Sequence, residues 1–148
     1  MSAGDVESAS NEASVTVVSG PLAGPVLGRV VGMLAARADC PIDRLDDALL
    51  VADAVAARAA SFSDDGRVNV HVSAELGSVE LLVGPLRPDG ADDLVESAAL
   101  PGVGNVLERV ADELEPQAGM DGNEYLFIRL DFHAQRPPTI DRMESDVT

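Results

Sequence analysis

Apolar residues along this chain recur at two different spacings, and the switches between them set out its elements. Val15, Val17 and Val18 mark a short strand over Ser14 to Val18, closed by the turn signal Gly20-Pro21. From Pro25, placed as a first-turn proline, Val26, Leu27, Val30, Val31 and Leu34 follow helical spacing up to the polar break near Asp39. Pro41 opens a second, longer helix in which Leu45, Ala48, Leu49, Ala52, Val55, Ala56 and Ala59 keep the three-four rhythm. Ser61 and the turn Asp64-Asp65-Gly66 end it. Val68, Val70 and Val72 then alternate with Asn69 and His71, and Gly77-Ser78 separates them from the run Val79 to Val83. That pattern predicts an antiparallel hairpin in which His71 is more exposed than the valines on either side of it.

After the hairpin, Pro85 and Pro88 within Gly84 to Gly90 predict a loop outside any central strand. A short helical turn is expected around Asp92 to Ser97. Val106, Leu107, Val110 and Leu114 predict a third main helix that runs up to Pro116. Past a loop at Gly119 to Gly122, Tyr125 to Phe132 alternates as a final strand. The order predicts an α+β fold: a two-layer sandwich with a mixed, mostly antiparallel sheet of four or five strands and the helices on one face. Val15, Val70, Val72, Leu81, Val83, Phe127 and Leu130 are its expected core. One domain spans 14–133, between tails at 1–13 and 134–148 whose composition reads as disordered.

Composition narrows the function classes. Ten Lys and Arg against 26 Asp and Glu give a net charge of −16, which repels phosphate backbones and anionic membrane surfaces. Such a surface serves solubility or a basic protein partner, and composition leaves both open. The single cysteine, Cys40, excludes an internal disulfide and has no neighbouring cation in sequence, so it reads as a structural thiol. The first residues lack the basic and apolar regions of a secretory signal, and no apolar run approaches the roughly 20 residues that span a bilayer. A cytoplasmic location is the expectation. His71 and His133 have no companion at metal-ligand or triad spacing, and Ser61 and Ser63 beside Asp64 and Asp65 read as a turn.

The second helix carries the most specific motif. Residues four apart share a helix face, so a carboxylate and an amide at that spacing can point together into one pocket. The stretch Leu49-Leu50-Val51-Ala52-Asp53-Ala54-Val55-Ala56-Ala57-Arg58-Ala59 is similar to the first ATP motif of the anti-sigma-factor serine kinases, whose domain has the histidine-kinase and Hsp90-type ATPase fold. The resemblance covers roughly Ser14 to Phe132. It implies that Asp53 stands where the family has its general-base Glu, and Ala57 where the family has its Mg²⁺-binding Asn. The family's Asp-x-Gly-x-Gly adenine motif has no counterpart at the strand end, and Asp89-Gly90 comes several residues late. Gly102-Val103-Gly104, followed by Asn105, matches the place of the phosphate-wrapping Gly-x-Gly, and a flexible hinge before a helix explains it equally.

What the resemblance implies is a degenerate anti-sigma-factor-like regulatory domain that binds a protein partner, a sigma factor or an anti-sigma antagonist, and in the family does so as a homodimer. ATP and Mg²⁺ are expected to bind at millimolar strength or not at all, because Ala57 cannot ligate a cation and the adenine-reading Asp is missing after Val83. Two alternatives stand beside this: a weak ATP-dependent serine kinase with Asp53 as base, and a scaffold reused for an unrelated role. Asp43, Asp46 and Asp47, at the start of the second helix, are the expected partner-binding cluster, and they equally suit the helix dipole.

Overall fold

The hairpin predicted from alternation forms the middle of the sheet. In the computed structural model, which describes residues 11–132, β2 (Arg67–Glu75) and β3 (Ser78–Leu86) pair antiparallel, with Val70 opposite Val83 and Val72 opposite Leu81. All four are buried, while His71 is half-exposed, as period-2 geometry requires. The turn Leu76-Gly77 needs the positive φ of 93° that Gly77 supplies. Gly77 also donates its N–H to the Ala38 carbonyl at 3.0 Å and accepts from Phe132 N–H at 2.7 Å, so the turn is anchored on two sides.

Around this hairpin stand β1 (Asn11–Val18), α1 (Ala23–Arg37), α2 (Ile42–Arg58) with a 3₁₀ turn at Ala59–Phe62, and α3 (Gly90–Ser97). A small ribbon of β4 (Ala99–Leu100) and β5 (Gly104–Asn105) follows, then α4 (Val106–Val110), β6 (Glu113–Ala118) and β7 (Glu124–Asp131). The main sheet has the order β1-β2-β3-β7-β6 and pairs antiparallel at every junction, where a mixed sheet was expected. Inward valines and leucines of the strands join Leu27, Val31 and Leu34 of α1, Val51 and Val55 of α2 and Leu94 of α3 in a single core. Burying each such side chain is worth about 1.5–3 kcal/mol, and aliphatic residues supply nearly all of it.

Four further expectations are corrected by this structure. Asn11 to Ala13, read as part of the N-terminal tail, belong to β1, where Asn11 to Val18 lie opposite Arg67 to Ala74. Pro85 lies inside β3, a central strand; β2 pairs with β3 only as far as Gly84, and the register with β7 shifts between Val83 and Leu86, so no ladder bond needs the missing N–H. Phe127 lies on the outer face of β7, because the inward set is Leu126, Ile128 and Leu130. The third main helix shrinks to the five residues of α4, and the chain turns extended at Ala111 (φ −75°, ψ 140°) to enter edge strand β6. Leu114, counted as helical, lies opposite Ile128 instead. The tail at 134–148 and His133 lie outside the described residues. Among the described residues, no helix is long and apolar enough to cross a membrane.

Candidate functional site

Helix α2 forms because its apolar positions lie along one face, with Ala48, Val51, Ala52, Val55 and Ala56 buried. Asp53 and Ala57 therefore fall on its exposed side, one turn apart. They share a hollow with Leu50, Ala98, Leu100 and Val106, so the helix face does meet the segment around the glycine loop. The hollow measures only about 90 Å³. Gly24, in the first turn of α1, lies close on the other side of Asp53: a Cβ there would sit 3.3 Å from Asp53 Oδ1.

The remaining sequence-predicted residues take other places. Gly102 (φ 77°) and Gly104 (φ 97°) shape the tip of the β4–β5 ribbon, where Leu100 pairs with Gly104 and Ala99 with Asn105. Positive φ at both positions accounts for the two glycines. Asn105 caps α4: its side-chain oxygen accepts from Glu108 N–H at 3.1 Å, and its Nδ2 donates to the Val95 carbonyl at 2.7 Å. Asp89 is exposed at φ 65° and opens α3, away from the lining of the hollow. A Cβ on Gly90 would lie 3.0 Å from both Leu86 Cβ and the Phe62 carbonyl, so that corner is filled by protein.

A larger groove of about 420 Å³ lies on the other side of Leu50 and Val106, where Asp47, Val103, Arg109 and Val110 complete its lining. Its polar groups are already engaged. Arg109 Nη1 donates to the Val103 carbonyl at 2.8 Å, and Asp47 Oδ2 accepts from Arg44 at 2.9 Å. Its apolar groups are not: Leu50 is 44% and Val103 49% exposed. Asp43 and Asp46 stand exposed at the adjoining start of α2, while Asp47 is half-covered by its ion pair.

Sequence reasoning missed Arg44, the one buried charged residue among those described. Its guanidinium reaches Asp112 Oδ2 at 2.6 Å, Asp47 Oδ2 at 2.9 Å, and the carbonyls of Val110 and Asp131 at 3.4 Å. Asp112 Oδ2 also accepts from Asp131 N–H at 2.7 Å. The node thus ties α2 to the start of β6 and the end of β7. A signal was present, because Arg44 lies four and seven residues before Ala48 and Val51 on the buried face. Cys40 lies nearby; burial raises its thiol pKa, which the Arg44 charge partly offsets and Asp47 reinforces. A protonated thiol fits the structural role expected of it.

His71 gains partners that linear spacing could not show. The β1–β2 register sets Ser14 opposite His71, with Ser14 Oγ 2.9 Å from Nδ1 and Glu12 Oε1 2.8 Å from Nε2. With Nε2–H donated to Glu12, Nδ1 accepts the serine hydroxyl. Ser14 sits mid-strand rather than on a sharp strand-to-helix turn, so the trio acts as a cross-strand tie. Among the described residues, no group of three or more His, Cys, Asp or Glu could hold a metal ion. No protein-family model matches the chain, and no curated protein matches it.

Proposed function

We propose that this domain is a regulatory protein-binding module, a degenerate relative of the anti-sigma-factor kinases in which nucleotide chemistry has given way to partner binding. The observation that carries this reading is the hollow at Asp53 and Ala57. Its volume of about 90 Å³ falls well short of the roughly 300–1,000 Å³ typical of small-molecule sites. Ala57 offers no Mg²⁺ ligand, Asn105 is committed to capping α4, and Gly90 packs against Phe62 and Leu86. The neighbouring groove supports the other half of the reading. It exposes Leu50 and Val103 between Asp47 and Arg109, and Asp43 and Asp46 stand exposed at the same start of α2, an acidic approach suited to a basic partner such as a sigma factor.

The test is association kinetics with purified sigma factors and anti-sigma antagonists. Asp43→Lys/Asp46→Lys should slow association and flatten its salt dependence, since exposed charges act mainly on the encounter rate. Association unchanged by the double variant would remove this face, and the absence of any binding to either class would overturn the reading.

A further inference from the structure

Helices bury one face of the main sheet and leave the other to water. Along β2, β3 and β7 the inward residues are buried, while every outward residue except Gly84 is exposed or half-exposed. A solvated face of an antiparallel sheet is ordinarily polar. Here its centre is apolar: Leu82 of β3 lies opposite Phe127 of β7, and Tyr125 stands on the same face two residues before Phe127. Tyr125 is seated by missing side chains. A Cβ on Gly84 would lie 2.5 Å from Tyr125 Cδ2 and one on Gly119 2.9 Å from its Cε1, so both ring edges occupy room that glycines leave.

The charges around this patch are unequally satisfied. His71, Ser73, Glu80 and Gln117 join Leu82 and Phe127 around a hollow of about 240 Å³. Glu115 of β6 lies directly across from Phe127, and Glu80 lies two residues before Leu82, opposite Arg129. The Arg129 guanidinium is already engaged, with Glu113 at 3.1 Å and Asp131 at 3.4 Å. Among the described residues, Glu80 and Glu115 take part in no ion pair or side-chain hydrogen bond.

We propose that this outer face docks an arginine-bearing segment of a second protein, with a guanidinium on Phe127 between the carboxylates of Glu80 and Glu115. A guanidinium suits all three groups, since its plane stacks on an aromatic ring and its N–H fork matches carboxylates. A nucleic acid or other anionic ligand is repelled by the same charges, and a neutral one leaves both carboxylates unused. The face lies across the sheet from α2, so the inference stands independently of the α2 groove and of the Asp53 hollow.

Tyr125 makes the test site-specific, because the chain has one tyrosine and no tryptophan. Its emission is followed while the full chain is titrated with an end-blocked peptide of alternating arginine and valine. The emission should change saturably with a dissociation constant of about 100 µM or tighter. The same peptide with citrulline in place of arginine should not bind. Phe127→Ala and Glu80→Gln/Glu115→Gln should each weaken binding by more than about tenfold. Asp92→Asn/Glu96→Gln, which removes two exposed charges on α3, should change it by less than about twofold. Far-UV circular dichroism and the urea midpoint show whether each variant folds. The absence of a saturable change, equal binding of the citrulline peptide, or equal losses in the sheet-face and α3 variants would overturn the proposal. So would emission that changes with protein concentration alone, which assigns the face to a second copy, or peptide binding that requires removal of residues 133–148, which assigns it to the chain's own segment.

Discussion

The two ends of α2 divide structural from surface duty. At its start, Arg44 is buried and gathers Asp47, Asp112 and two carbonyls, so the helix is fastened to β6 and β7. About two and a half turns later, Asp53 is exposed, and among the described residues it takes part in no ion pair or side-chain hydrogen bond. One helix therefore carries a charge that the fold depends on and a charge that the fold does not use. Burial sets the difference: an ion held away from water must be paired, whereas a solvated one is free to be lost or reassigned.

The largest test of that contrast is Asp112→Ala. It leaves Arg44 short of its closest carboxylate and removes the acceptor for Asp131 N–H, and should cost about 3 kcal/mol in urea unfolding, the lower end for a broken buried pair because Asp112 itself is partly exposed. A loss below about 1 kcal/mol would place this node among ordinary surface salt bridges. Asn105→Ala comes next. Removing the cap and the bond to Val95 should cost about 1 kcal/mol, and a neutral result would free Asn105 for a ligand role. Asp53→Asn should have the smallest effect, within about 0.5 kcal/mol in either direction, and a larger loss would mean that Asp53 is part of the scaffold.

These contrasts also show what could be read from sequence and what could not. The β2–β3 hairpin was legible because strict alternation admits only one pairing face, and α2 because its buried stripe is long. The third helical pattern failed for a specific reason. Val106, Leu107 and Val110 are helical neighbours, but Leu114 suits an alternating strand equally well, and the extended turn at Ala111 leaves no mark on the periodicity. Phe127 was misplaced because Phe127 and Leu130 cannot share one face of a strand, a conflict of parity visible in the numbering alone. Pro85 was excluded from a central strand because the end of the β2 pairing and the register shift beside it are tertiary facts. The Ser14–His71–Glu12 tie depends on register between strands more than fifty residues apart, beyond any motif spacing.

Calorimetric titration of ATP with Mg²⁺ into the full chain tests the central claim most directly, because a binding module with a closed nucleotide site and a kinase with a working one differ there by orders of magnitude. The account predicts no heat of binding stronger than millimolar, about 4 kcal/mol of binding free energy. A micromolar, Mg²⁺-dependent isotherm would contradict it and would favour the kinase reading with Asp53 as base.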